Sequence, residues 1–251
     1  MRRRFFVDQV RNGHAEIAGE DARHLTRVLR VEVGERYEIS DNRGVYLAEI
    51  ETARKELVVF RALEKLPSHA VTPALILAAA LIKFDHFEWM IEKATELGVA
   101  KIVPVEAMRS ERGLERAAHK RIERWRRIAL EASQQSRRAF LPEVEEPVAL
   151  SEALSLTATH RYLSDEKPGT QSLAAALPPE RAGSDTVAIL VGPEGGWTDE
   201  ERDAAIDAQW TPVSLGPLVL RAETAAIAAL AIIGSAWRVL RGAKNVDTPI
   251  A

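Results

Sequence analysis

The chain has 251 residues, 46% of them hydrophobic and 28% charged, with a formal net charge of −3 and no cysteine. That composition supports one large core or two small ones, and the missing cysteine excludes disulfides, thiolate metal sites and covalent catalysis by a thiol. Only Phe5-Phe6-Val7 separates Arg2-Arg3-Arg4 from Asp8, too little for a secretory signal, and the longest uncharged apolar stretch, Thr224 to Trp237, falls short of the ~20 residues that span a bilayer; a cytoplasmic location is expected.

Residues 1–68 read as a small β-barrel domain. Strand signals run over Phe5–Val7, Arg36–Ser40, Val45–Glu51 and Leu57–Leu63, punctuated by Gly34 and the turn Asp41-Asn42-Arg43-Gly44, with one helical segment from Asp21 to Arg30. The division falls near Leu66-Pro67-Ser68-His69. Residues 69–251 then alternate: strand Leu75–Ile82, helix Phe84–Leu97, strand Ile102–Val105, a basic helix, and strands Arg161–Ser164, Val187–Val191 and Pro212–Leu215. Strands separated by helical stretches predict a parallel sheet covered on both faces, an α/β fold.

Charge is unevenly spread. Arg109 to Arg138 holds ten Lys/Arg against four Glu, whereas Pro142 to Asp203 holds thirteen Asp/Glu against four Lys/Arg. Within the basic segment Leu114, Ala118, Ile122, Trp125, Ala129 and Ala132 form one apolar stripe, and Arg116, Lys120, Arg124 and Arg127 recur on roughly the opposite face. Such a ridge suits an RNA backbone, and equally suits a solvated face paired with nearby Glu. Glu88, Glu92 and Glu96, spaced by four, read as a solvated edge rather than an acid/base set.

Two glycine loops end the last strands. Val187–Val191 runs into Gly192-Pro193-Glu194-Gly195-Gly196, and Leu215-Gly216-Pro217-Leu218-Val219-Leu220-Arg221 follows about twenty residues on. Glycine lets main-chain groups approach a ligand, and proline stiffens both turns. Neither the phosphate-loop ending nor the dinucleotide spacing is present. Thr198-Asp199-Glu200-Glu201 is a capping box that fixes the end of the first loop. From Glu223 to Leu240 the residues are apolar or small on nearly every face, so this helix should be buried all round. The six histidines show no close pair at ligand spacing, and no metal is expected.

The two loops, continued by Arg221-Ala222-Glu223-Thr224, resemble the cofactor loops of the knotted SPOUT methyltransferases, specifically the RsmE family. Arg23-His24-Leu25 with Val28-Leu29-Arg30, Glu92–Gly98, Ser110-Glu111-Arg112, and Gln135-Ser136 with Arg138 and Pro142 resemble family segments in family order. The resemblance implies a PUA-like RNA-binding barrel, then a parallel-sheet SPOUT domain with a C-terminal trefoil knot. It implies methylation, with S-adenosyl-L-methionine, of N3 of one uridine in 16S ribosomal RNA of the small subunit.

On that reading the cofactor contacts are Val191, Gly192, Pro193, Glu194, Gly195, Gly196, Leu215, Gly216, Leu218, Leu220, Arg221 and Thr224. A Cβ at Gly195 or Gly196 is expected to occupy ligand space. Uracil N3 carries a proton at neutral pH, so the site needs a proton acceptor and donors for charge developing on O2 and O4. Arg138 is the first candidate donor, followed by Arg112 and Arg221. Glu223 or Glu194 is the candidate acceptor, and either could instead bond backbone N–H groups. The RNA-binding set is Arg4, His24, Arg27, Arg30, Arg116, Lys120, Arg124 and Arg127. A homodimer through the C-terminal helix is expected, with a ribose 2′-O-methyltransferase or a non-catalytic ribosome-assembly factor as rival readings.

Overall fold

The computed structural model describes residues 3–239. The chain forms two compact units, Met1–Ala70 with Leu130–Leu141, and Val71–Ala129 with Pro142–Ala251. A single boundary near residue 68 would place 130–141 with the second unit instead.

In the first unit, five strands lie in the order Arg4–Phe6, Arg36–Ser40, Val45–Arg54, Leu57–Leu66, His14–Ala18. The first pair is parallel and the rest antiparallel. Strand His14–Ala18 is not evident from sequence because Ala and Glu are poor strand formers. Its alternation is nevertheless clear, with Ala15 and Ile17 buried beneath Phe5, Ile39, Ile50, Val58 and Phe60. The helical segment expected over 21–30 is a short α-helix, Gly19–Arg23, continuing as a π-helical turn, His24–Val28. At the predicted turn, Asp41 Oδ1 accepts from the backbone N of Arg43 and Gly44, and Asn42 adopts φ +62°. This turn explains the inclusion of 130–141: Asn42 Oδ1 accepts from Leu141 N at 2.7 Å, and Ser40 Oγ donates to Ala139 O at 2.6 Å.

In the second unit the sheet order is Thr211–Val213, His160–Ser164, Thr186–Val191, Ala74–Ala80, Lys101–Glu106, Glu143–Val144, with Val148–Ala149 also beside Lys101–Glu106. Every pairing is parallel. Ala74–Ala80 and Thr186–Val191 are almost wholly buried, as strands covered on both faces must be. One face packs helix Phe84–Glu96 and helix Ala222–Val239, with Phe87, Met90, Ile91, Ala226, Leu230 and Ile233 buried against Leu75, Leu77 and Ile189. The other face buries Trp197, Ala205 and Trp210.

The basic segment is not one helix. Leu114–Ala118 and Ile122–Gln135 are joined by a 3₁₀ turn, His119–Arg121, yet the apolar stripe survives: Ala118, Ile122, Trp125, Ala129 and Ala132 are all buried. The C-terminal helix is buried on one face only within a single chain. Glu223, Ala225, Ala226, Ala229, Leu230, Ile233 and Trp237 are buried within one chain, but Thr224, Ala231 and Ser235 are exposed and Ile227, Ala228 and Ile232 half-buried. Leu240 lies outside the described residues.

Candidate functional site

The strand order reverses between Thr186–Val191 and Ala74–Ala80, where sequence neighbours cease to be spatial neighbours. In open parallel sheets ligands bind outside the carboxyl ends of the strands, and the cleft here lies to one side of this reversal. Here three loops leave three adjacent strand ends: Ser164-Asp165-Glu166, Val191 to Trp197, and Ser214 to Leu220. Together they line a cleft of about 750 Å³ of atom-free space, partly open to solvent.

Nine of the expected cofactor contacts line this cleft: Val191, Gly192, Pro193, Glu194, Gly196, Leu215, Gly216, Leu218 and Leu220. Gly195, Arg221 and Thr224 do not. The loop following Ser164, including Asp165 and Glu166, is a part of the site that the sequence did not reveal. Its signal was available in the polar Asp-Glu pair directly after a buried strand, but its place beside the glycine loop follows from the parallel pairing of His160–Ser164 with Thr186–Val191.

The loops are fastened to one another. Trp197 Nε1 donates to Ser164 O at 3.1 Å, and a Cβ at Gly192 would lie 3.0 Å from the Trp197 ring, so glycine there is a packing requirement. Thr198 and Glu201 form the expected capping box. Glu201 Oε2 completes the box by accepting from Thr198 N at 2.9 Å, and its Oε1 also accepts from Met108 N at 2.7 Å. Beside it, Arg109 Nη1 donates to the carbonyls of Gly195 and Trp197. A Cβ at Gly195 would meet Arg109 Cβ at 3.0 Å, and one at Gly196 would meet Glu166 Oε1 at 3.1 Å with the backbone at φ +66°. The expectation that these two glycines are empty only for the ligand is therefore corrected: both are also shaped by protein neighbours. Gly216, at φ +140°, has no atom within 4 Å of the point where a Cβ would stand, and is the glycine that faces open space.

These features suit an adenosyl ligand. Aliphatic walls from Val191, Leu215 and Leu220 lie beside glycine backbone, the combination a flat ring with hydrogen-bonding edges requires. Among the described residues no group of three or more His, Asp or Glu is arranged to hold a metal ion, and no helix is long and apolar enough to cross a membrane.

An RNA methyltransferase domain model matches residues 70–234, and an RNA methyltransferase PUA domain model matches 17–63. The ribosomal RNA small subunit methyltransferase E of Bacillus subtilis is 30% identical over 95% of this chain and 98% of its own. The chain belongs to this methyltransferase E family. The family protein of Synechocystis is 35% identical over 84% of this chain and 70% of its own. The structure of the family protein from Neisseria gonorrhoeae, bound to S-adenosyl methionine, superposes with a TM-score of 0.83 at 28% identity, covering 94% of this chain and 98% of that one.

None of the catalytic candidates Arg138, Arg112, Arg221 and Glu223 is a lining residue of the cleft. Arg138 belongs to the first unit and does not line the cleft; its Nε donates to Phe140 O at 3.0 Å, and burial pushes its guanidinium down to about 10. Arg112 and Arg221 are exposed and are not lining residues. Glu223 is buried, its Oε1 3.0 Å from His86 Nδ1, and stands apart from the cleft lining. That contact favours a structural role over proton acceptance and was invisible in sequence, since the partners are 137 residues apart.

The RNA candidates divide as sharply. Arg4 is tied down by Glu38 at 2.6 Å and by the Arg137 carbonyl at 2.7 Å, so it fixes the first unit rather than offering a free cation. His24, Arg27 and Arg30 are exposed around the π-helical turn. Arg124 is claimed by Glu88, with Nε to Oε1 at 2.7 Å and Nη2 to Oε2 at 2.8 Å. One carboxylate of the supposed solvated edge thus neutralises part of the basic ridge. Arg116, Lys120 and Arg127 are exposed.

Proposed function

We propose that this protein transfers a methyl group from S-adenosylmethionine to N3 of a uridine in 16S ribosomal RNA of the small subunit, in the cytoplasm and as a homodimer. The observation that carries the reading is the cleft at the carboxyl ends of His160–Ser164, Thr186–Val191 and Thr211–Val213, in which backbone at Gly192, Gly196 and Gly216 adjoins aliphatic walls from Val191, Leu215 and Leu220. Bound there, the cofactor supplies an electrophilic methyl on a cationic sulfur. The protein's task is to orient donor and acceptor and manage one proton. As the N3–CH₃ bond forms and the C–S bond breaks, the bonding pair stays on sulfur and the N3 proton must leave. With Glu223 engaged by His86, Glu194 at the cleft edge is the acceptor we favour, directly or through water. Arg138, Arg112 and Arg221 are the proposed donors toward the uracil oxygens, each testable by single-turnover rates at saturating substrates.

A nitrogen acceptor agrees with a chain lacking cysteine, because the thiol route to C5 of a pyrimidine has no nucleophile here. Dimerisation is supported by a seam on helix Ala222–Val239 where exposed Thr224, Ala231 and Ser235 are flanked by half-buried Ile227, Ala228 and Ile232. Exposed Leu218 and Val219 lie on the preceding loop. Mass spectrometry of 16S ribosomal RNA from a deletion strain tests the reaction: loss of N3-methyluridine supports it, whereas loss of a 2′-O-methyl mark supports the ribose rival.

A further inference from the structure

The residues lining the cleft carry net negative charge. Three carboxylates line it, Asp165, Glu166 and Glu194, and no Lys, Arg or His does. Asp165 is already neutralised: its Oδ2 lies 2.9 Å from Arg202 Nε, with the two side chains only 3% and 10% exposed. Of the nearby cations, Arg221, exposed between the lining residues Leu220 and Ala222, is assigned to the acceptor in the reading above, and the others are engaged within the protein. Arg202 Nη1 and Lys167 Nζ both bind Asp199, at 2.8 and 2.9 Å, and Arg109 spans the carbonyls of Gly195 and Trp197. Among the described residues neither Glu166 nor Glu194 has an ion-pair partner. Glu166 stands beside the glycine loop, its Oε1 within 3.1 Å of the point where a Cβ on Gly196 would stand.

We propose that this cleft discriminates by charge between S-adenosylmethionine and its demethylated product, with Glu166 as the principal specificity-determining residue and Glu194 the second. The inference rests on the cofactor reading above. At neutral pH the cofactor has a sulfonium, an ammonium and a carboxylate, hence a single net positive charge. Transfer of the methyl leaves a thioether, and the product is net neutral. Two unpaired carboxylates at the cleft attract the first and gain nothing from the second. The same asymmetry counters product inhibition, because the attraction that holds the cofactor disappears when the methyl leaves.

Calorimetric titration of the full-length protein with S-adenosylmethionine, S-adenosylhomocysteine and the amine analogue sinefungin, at low and high ionic strength, tests this. Wild type should bind the two cationic ligands more tightly than the neutral one, with a preference that shrinks as salt rises. Glu166→Gln should weaken the cationic ligands by about three- to tenfold and leave S-adenosylhomocysteine within about twofold, the size expected of one partly screened charge. Glu194→Gln should act in the same direction to a smaller extent. Both replacements are isosteric at exposed positions, and thermal melting checks that each variant remains folded. An unchanged affinity ratio in Glu166→Gln, whether both ligands weaken or neither does, overturns the proposal while leaving the cofactor reading intact. Wild type that binds none of the three ligands overturns the cofactor reading itself.

Discussion

Arg109 grips Gly195 twice: its Nη1 donates to the Gly195 carbonyl at 3.0 Å, and its Cβ stands 3.0 Å from where a side chain at 195 would begin. The second glycine of the loop is therefore small because an arginine arriving from 86 residues upstream packs on it. A charged donor holding two carbonyls keeps the loop in one conformation before any ligand arrives, which reduces the ordering cost of binding.

Arg109→Ala should leave the protein folded and weaken S-adenosylmethionine binding by about tenfold, the scale of one partly exposed charge-assisted hydrogen bond. Calorimetry beside a melting curve measures both quantities. Gly195→Val should imitate it, because valine must displace Arg109 Cβ and lies close to the Arg109 carbonyl oxygen at 3.4 Å.

Glu223 and His86 make a separate case. Removing the buried carboxylate strands His86 and takes a negative charge from the first turn of helix Ala222–Val239. Glu223→Ala is expected to cost about 1–3 kcal/mol of stability in chemical denaturation, while single-turnover rates of the folded fraction fall little. A folded variant of unchanged stability and abolished turnover would return Glu223 to the role of proton acceptor.

On the basic segment, charge reversal at Arg124 would break its bidentate pair with Glu88 as well as any phosphate contact, so it confounds folding with binding. Arg116→Glu with Lys120→Glu is the cleaner test, both being exposed. RNA affinity should fall, and the slope of log K against log salt should flatten by about 0.7–0.9 for each phosphate no longer neutralised, at constant cofactor affinity. An unchanged slope would make this a solvated helix face.

A homodimer through the last helix is tested at its exposed face. Ala229 and Ile233 are fully buried within one chain, so a charge there tests folding, whereas Ala231 is exposed on the same helix. Light scattering should report twice the chain mass for wild type and a lower mass for Ala231→Glu. A monomeric wild type at micromolar concentration contradicts the assembly.

What could be read from sequence was local. The loop Gly192–Gly196, the Thr198–Glu201 capping box and the stripe through Ala118, Ile122 and Trp125 each lie within a few turns of chain, where periodicity and capping chemistry act. What escaped was set by pairing between distant segments. Glu166 enters the cleft because His160–Ser164 lies beside Thr186–Val191, and Arg109 reaches Gly195 across the sheet end. Glu223 and Arg124 could be recognised as charged groups, but their roles depend on His86 and Glu88, which no short-range pattern supplies. The 3₁₀ turn at His119–Arg121 preserves the apolar stripe while breaking the helix, so periodicity alone does not reveal it.

The most direct measurement incubates the purified protein with S-adenosylmethionine and small ribosomal subunits lacking the modification, then analyses nucleosides of the 16S ribosomal RNA by mass spectrometry. The account predicts N3-methyluridine, formed in proportion to the S-adenosylhomocysteine released. A 2′-O-methylated nucleoside, a methyl on another base position, or no product from folded, cofactor-binding protein would contradict it.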